Sequence, residues 1–315
     1  MDNKTIDLLE AAIRRRRVLS RRANALRLVN GLGDGLKGLV LEQYDRHFVV
    51  QIFDKRWFKE KEALAGFVRA RCDGRYLIIK DRTLSASSPP EAFTAGVWIE
   101  DDSSRTVVRE NGLKFGVDLN DTLNSGLFLD MRQNRQVVAG LAKGRKVLNC
   151  FAYTCSFGVS CRSAGALSVV NVDISRKNLS RGRRNYELNQ LVFSRDEFIR
   201  ADAGRYLERA LVKDNRFGLI ILDPPSFARH ENKVFSVKKD LPRLIASAIK
   251  ALEQGGFLFV ATNFSGITHD DLEDMVRIAA LKRRIQRVER LGQDTDFPGS
   301  ALMPESYLAA LLVKV

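Results

Sequence analysis

The sequence predicts an α/β fold: a doubly wound, largely parallel sheet ending in an antiparallel hairpin, preceded by a small α+β domain. Three observations carry this reading. Between residues 146 and 262, apolar runs of strand length alternate with helical stretches. Phe217-Gly-Leu-Ile-Ile-Leu222 is apolar at every second position on both sets, as in a strand buried on both faces. Acids recur directly after such strands, at Asp173, Asp202 and Asp223.

Taken in order, residues 5–28 read as a basic helix with apolar positions Ile6, Leu9, Ile13, Leu19, Ala23 and Leu26. Its run Arg14 to Arg17 cannot share one face, because successive helical residues step by about 100°. At least one arginine must lie near the apolar stripe. With Arg21 and Arg22 these residues form an expected RNA-facing arm, residues 1–30. Gly31-Leu-Gly-Asp-Gly-Leu-Lys-Gly38 has no strand before it and no helix after it, so it reads as turn chemistry rather than a phosphate loop. Strands at 39–43 and 48–53, a helix at 59–70 and a strand at 76–80 complete an α+β domain, residues 31–105, with a possible RNA-binding role. Its small, polar last stretch, 83–105, reads as a linker.

The remaining domain, 106–315, opens with strands at 106–109 and 113–119 and a turn entering a helix at 125–135. Parallel strands are expected at 146–151, 168–172, 198–201, 217–222 and 257–262, with a long helix at 234–252 before the last. The segments 285–291 and 307–315 lack a long helix between them and should pair antiparallel at the sheet edge.

Composition narrows the function. The 315 residues carry a net charge of +14, concentrated at Arg14–Arg22, at Arg176, Lys177, Arg181, Arg183 and Arg184, and at Lys282, Arg283, Arg284, Arg287 and Arg290. Neutralisation of a polyanion is the economical explanation. No apolar run approaches the roughly 18 residues of a membrane span, and the start lacks a signal-peptide core, so a soluble cytoplasmic protein without membrane contact is expected. The four cysteines lack zinc spacing and the three histidines are scattered, so no metal is expected. Monomer and homodimer are both left open.

In doubly wound sheets, ligands bind beyond the carboxyl ends of the strands. The first such turn, Asn149-Cys-Phe-Ala-Tyr-Thr-Cys-Ser-Phe-Gly158, keeps only Gly158, which disfavours a dinucleotide pyrophosphate. A cofactor combining adenosine with a charged amino-acid tail fits better. Asp173 is placed to accept ribose hydroxyls and Asp202 to meet the adenine amine; a helix N-cap is the ordinary alternative for each. After the fourth strand, Asp223-Pro-Pro-Ser-Phe227 leaves the sheet through a stiff turn whose carbonyls stay free to accept. A carboxylate, carbonyls and a ring make a slot for a flat base. This arrangement is that of S-adenosylmethionine-dependent methyltransferases.

Glu110-Asn-Gly-Leu-Lys-Phe115, Gly126-Leu-Phe-Leu-Asp130, Val147-Leu-Asn-Cys-Phe-Ala-Tyr-Thr154, Asp173 and Asp223-Pro-Pro-Ser-Phe227 resemble bacterial methyltransferases of 23S ribosomal RNA. Members of that family act on cytosine carbon 5 or guanine nitrogen 7. The resemblance spans roughly residues 25 to 315 and implies a class I, Rossmann-like methyltransferase domain, with S-adenosyl-L-methionine as cofactor and 23S ribosomal RNA as partner. Many members carry an N-terminal PUA domain, which this chain is too short to have. The implied cofactor residues are Phe128, Asp130, Asn149, Phe151, Tyr153, Thr154, Cys155, Asp173, Asp202 and Asp223. The implied base-binding and catalytic residues are Asp223, Pro224, Phe227 and Asn263, with Phe227 stacking on the base.

Two departures matter. The family usually has glycine where this chain has Cys155, and cysteine is expected to narrow the loop. Its carbon-5 cytosine enzymes carry a cysteine after the fifth strand, whereas here Ala261-Thr-Asn-Phe-Ser-Gly266 has none. Carbon 5 becomes nucleophilic only after a thiolate adds to carbon 6, so guanine N7, with its in-plane lone pair, is favoured by direct in-line transfer. The alternatives are carbon-5 or exocyclic-amine methylation, and an RNA-binding assembly factor with a degenerate methyltransferase fold. A nicotinamide oxidoreductase is disfavoured by the missing glycines.

Overall fold

The computed structural model describes residues 1–85, 88–99, 103–121, 124–230, 233–281, 283–299 and 308–315, with side chains at all of these except 90–91, 98–99, 227–230 and 233–235. The chain divides into two units: Met1–Arg132 with Gln293–Ser306, and Gln133–Gly292 with Tyr307–Val315. The expected boundary at 105/106 is therefore displaced to Arg132.

In the first unit, α1 (Asn3–Arg16) leads to β1 (Ala25–Asn30), β2 (Leu39–Tyr44), β3 (His47–Ile52), α2 (Lys61–Cys72), β4 (Tyr76–Asp81) and β5 (Thr94–Ile99). The strands form one sheet in the order β1-β2-β3-β4-β5, with only β3 and β4 parallel to each other. Alternate residues Leu26, Leu28, Leu39, Leu41, Phe48, Val50, Leu77 and Ile79 form one core with Leu9 and Ala12 of α1 and Leu64, Phe67 and Val68 of α2. Period-2 burial and helical burial meet there as the sequence patterns require. A hairpin, β6 (Arg105–Glu110) and β7 (Leu113–Asp118), also belongs to this unit.

Two expectations are corrected here. The helix expected over 5–28 ends at Arg16, followed by a 3₁₀ turn at Leu19–Arg21 and then β1. Leu19, Ala23 and Leu26 are buried as expected, but from separate elements. Pairing with β2 satisfies the backbone of residues 25–30 and overrides the helical spacing. The expected linker contains β5, which pairs antiparallel with β4.

The arginine that leaves the solvated face is Arg16. Its guanidinium lies against Asp34 at 2.7 Å on both carboxylate oxygens, and both residues are almost fully buried. Asp34 also accepts from Asn30 N at 2.7 Å and from Arg15 at 2.6 Å, so the glycine-rich turn is organised around this carboxylate. Gly35, with φ of 76°, closes that turn. A second buried pair, Arg132 with Asp296 at 2.8 Å, lies one hydrogen bond away, because Arg16 also donates to the Asp296 carbonyl at 3.0 Å. Arg16 is thus removed from the expected RNA-facing set.

The second unit holds α3 (Arg132–Gly140, from Gln133), β8 (Lys146–Cys150), α4 (Ser156–Ser163), β9 (Ser168–Asp173), α5 (Arg176–Leu188), β10 (Phe198–Arg200), α6 (Ala203–Val212) and β11 (Phe217–Leu222). It continues through β12 (Phe227–His230), β13 (Lys233–Ser236), α7 (Val237–Ala251), β14 (Leu252–Thr262), α8 (His269–Ala279), β15 (Arg287–Leu291) and β16 (Ala309–Lys314). The sheet order is β10-β9-β8-β11-β14-β16-β15, parallel except where β16 pairs with β14 and β15. Every residue of β11 is buried. The order reverses between β8 and β11, which puts the loops after these two strands side by side at the switch point. The strands β12 and β13, absent from the sequence reading, precede α7, so the helix expected from 234 begins at Val237.

Asp34→Ala would leave Arg16 charged and buried. The expected loss is about 3–5 kcal/mol in the first unit, read from chemical denaturation followed at Trp57; a loss within error would remove the stabilising role assigned to this pair.

Candidate active site

The carboxyl edge of the second unit's sheet is shaped by the loop after β8. Phe151, Tyr153 and Cys155 take φ of 57°, 49° and 59°, the left-handed region, at every second residue. That conformation costs an L-residue roughly 1–2 kcal/mol, and glycine is its usual occupant. The loop therefore has the backbone of a glycine-rich turn without the glycines, and no glycine pattern in the sequence could reveal it.

Neighbouring groups hold it in that shape. Ala152 N donates to Val172 O at 3.0 Å and Tyr153 N to Asp173 Oδ2 at 2.8 Å. Asp173 Oδ1 accepts from Ser175 N at 2.8 Å, so one carboxylate fixes both the β8 loop and the entry to α5. Asn185 of α5 donates to Thr154 O at 2.9 Å. Burial pushes the Asp173 carboxyl above its ordinary range, against the opposing pull of its backbone donors at Ser175 and Tyr153.

Cys155 is fully buried, and its side chain rests where Gly182 of α5 has no Cβ: an added Cβ would lie 2.3 Å from its Sγ. The cysteine thus packs against α5 instead of narrowing the loop, which corrects the expectation drawn from its departure. Asn149 is also buried and donates to Asn171 Oδ1 at 2.9 Å, while Asn171 donates to the Tyr186 hydroxyl at 3.1 Å. This polar chain passes over Gly158, where a Cβ would meet Asn171 Oδ1 at 2.2 Å. Asn149, Thr154 and Cys155 are buried and support the loop from inside.

Exposed and partly exposed groups at this edge include Phe151, Tyr153, Asp173, Asp202 and Asp223. Arg200 pairs in register with Asp173, so Asp202 follows β10 beside the end of β9. Asp202 Oδ1 accepts from Arg205 N at 2.9 Å and caps α6, the ordinary role weighed for it, while the residue itself stays exposed. After β11, Pro224 is buried and Pro225 exposed. Ser226 donates to Asn263 Oδ1 at 2.8 Å, tying the Asp223–Ser226 turn to the loop after β14. Phe227 starts β12 and its side chain lies outside the described residues, as does all of Lys282. Phe128 and Asp130 belong to the first unit, at the 3₁₀ turn Leu129–Met131. Sequence reasoning missed Gly182, Asn171, Asn185 and Ser226, each of which acts through a partner distant in the chain.

The donor chemistry fits a nucleoside-bearing cofactor. Asp173 and Asp202 supply acceptors at adjacent strand ends, and Phe151 and Tyr153 supply partly exposed rings beside them. The family of S-adenosylmethionine-dependent methyltransferases matches residues 54–314. The chain belongs to this family. It is 33% identical over 298 residues to ribosomal RNA large subunit methyltransferase I of Aeromonas salmonicida, covering 91% of this chain and 74% of that one. It is 32% identical over 297 residues to the protein of the same name from Shewanella denitrificans, covering 92% and 74%. The crystal structure of SMU.776, complexed with SAH, superposes with a TM-score of 0.88 at 26% identity, covering 98% of this chain and 80% of that one. The complex of aTrm5 with tRNALeu shares the fold alone, at a TM-score of 0.56 and 15% identity, covering 86% and 70%. The cofactor of this family member is S-adenosylmethionine, and Asp173, Asp202, Phe151 and Tyr153 are residues of this edge that could hold its adenosine.

Gly182→Ala should cost about 1–3 kcal/mol by overpacking and weaken binding of S-adenosylhomocysteine. Adding Cys155→Gly should restore both, measured by thermal unfolding and calorimetry; a double variant no better than the single one would contradict this packing. The raised Asp173 pKa sets a pH sign. As pH falls, the native carboxyl takes up its proton before an unfolded one would, so this group adds native stability on acidification while losing its anionic acceptor. Affinity for S-adenosylhomocysteine should therefore fall with pH, starting above the ordinary aspartate range. In Asp173→Asn it should be weak and flat over that range, and an unchanged pH dependence in this variant would assign the titration elsewhere.

Proposed function

We propose that this protein methylates a base of large-subunit (23S) ribosomal RNA, and that the acceptor is guanine N7. Its relatives, which are ribosomal RNA large subunit methyltransferases by name, and the charge of +14 support the substrate class. The observation that carries the choice of acceptor is the state of the thiols. Cys150, Cys155 and Cys161 are fully buried, and desolvation raises all three, Cys161 to about 12. Cys72, in α2 of the first unit, is pushed up to about 11 by burial. With no other cysteine in the chain, no thiolate is ready to add to carbon 6 of cytosine.

Guanine N7 needs none. Its lone pair lies in the ring plane, and transfer requires alignment and exclusion of water. S-adenosylmethionine supplies a methyl on a positively charged sulfur. Asp223 accepts from the N–H groups on the guanine edge remote from N7, and N7-alkylation leaves a cationic ring, so no proton has to leave. Pro224, which has no amide hydrogen, leaves its carbonyl as an acceptor and stiffens the turn. Asn263, held through its oxygen by Ser226, turns its amide N–H₂ to the base. Phe227 stacks on a base turned out of its helix. Exposed Arg14, Arg17, Arg21 and Arg22 bind the RNA backbone.

Asp223→Ala should lower kcat by at least a hundredfold while the thermal unfolding midpoint stays near that of wild type. Mass spectrometry of ribosomal RNA from a deletion strain should show loss of a single 7-methylguanosine; loss of 5-methylcytidine instead would overturn the acceptor.

A further inference from the structure

We infer that the β6–β7 hairpin is the second half of an RNA-backbone surface whose first half is the segment Arg14–Arg22. The inference rests on the RNA reading above and extends it to residues that the sequence assigned to the methyltransferase domain.

The two segments are joined edge to edge. Asn24 N donates to Arg109 O at 3.0 Å and Asn111 N donates to Arg22 O at 2.8 Å, with Ala23 bridged to Glu110. These bonds place Arg22 directly beside the end of the hairpin that carries Arg109 and Lys114. Arg109 and Lys114 face each other in register and both are exposed. Like charges at opposed positions work against strand pairing. The hairpin places them together even so, and holds its other end through an ion pair of Arg105 with Asp118 at 2.8 Å.

Several other arginines of the unit are already neutralised. Arg16, Arg27, Arg46, Arg71 and Arg132 each hold a carboxylate. Among the described residues, no ion pair is made by the exposed side chains of Arg14, Arg17, Arg21, Arg22 or Arg109. Helix polarity favours Arg14 in the last turn of α1, but it offers nothing to Arg21, Arg22 and Arg109, which lie outside that helix. The hydrogen bonds between residues 22–24 and 109–111 fix the spacing of the two halves before any ligand arrives. A run of phosphates is the partner that matches exposed guanidinium groups carried on two adjoining segments, because arginine presents a planar donor fork to phosphate oxygens. The surface needs no base contacts, since phosphate contacts set position while base contacts set specificity.

The test uses the full chain, a transcribed fragment of large-subunit ribosomal RNA, and titrations from low to moderate salt. Arg109→Gln with Lys114→Gln, and separately Arg21→Gln with Arg22→Gln, should each weaken binding several-fold and lower the slope of log K against log salt by about 1–2. Affinity for S-adenosylhomocysteine and the denaturation midpoint followed at Trp57 should stay unchanged in both, which excludes a folding defect in either unit. An Arg109/Lys114 variant with wild-type affinity and salt slope would overturn the hairpin's role while leaving the RNA reading intact. A wild-type protein that fails to bind the RNA at all, yet binds S-adenosylhomocysteine, would overturn the RNA reading itself and this inference with it. Binding to vesicles of anionic lipid at the affinity seen for RNA would also overturn it, by showing a surface selective for charge alone.

Discussion

The carboxylate of Asp173 is the contact on which the catalytic edge depends. It stands at the end of β9 and accepts from Tyr153 N in the β8 loop and from Ser175 N at the start of α5. Those two bonds set the path of a loop with three non-glycine residues in the left-handed region, an arrangement that local preferences oppose. A carboxylate so committed to its neighbours is held in one orientation. Its partial burial strengthens every bond it makes and, at the same time, raises its pKa.

The loop's other supports show how a glycine-poor sequence reaches a glycine-rich conformation. Where flexibility is missing at positions 151, 153 and 155, small residues appear on the neighbouring elements, with Gly182 receiving the Cys155 side chain and Gly158 making room for the Asn171–Tyr186 contact. The space has moved from the loop to its surroundings. Asn149, Thr154 and Cys155, which the sequence marks as cofactor residues, are all buried within this supporting structure.

Charge is divided in a comparable way. Of the arginine run in α1, Arg16 turns inward onto Asp34, Arg15 reaches the same carboxylate from the surface, and Arg14 and Arg17 remain exposed. Four residues of one type thus meet different fates within a single helical turn and its cap, because a helix distributes consecutive residues around its axis. The buried pair organises the glycine-rich turn and connects to the Arg132–Asp296 pair of the same unit.

Much of this protein was legible from its residues alone. The order of strands and helices from β8 onward, the wholly apolar β11, the antiparallel end of the sheet and the acids at three strand ends all follow from period and punctuation along the chain, which are local properties. The family was legible in the same way, from short motifs whose spacing is linear. The tertiary structure decided whatever depends on residues distant in sequence. It ended α1 at Arg16, made a strand of residues 25–30 by offering β2 as a partner, and turned part of an expected linker into β5. It also drew Ser226 to Asn263 and Cys155 to Gly182, and brought Arg22 beside Arg109. The physical reason is common to all of these: a backbone amide, a carboxylate or an empty Cβ position acts only on what the fold brings within a few ångströms, and linear spacing carries no record of that distance.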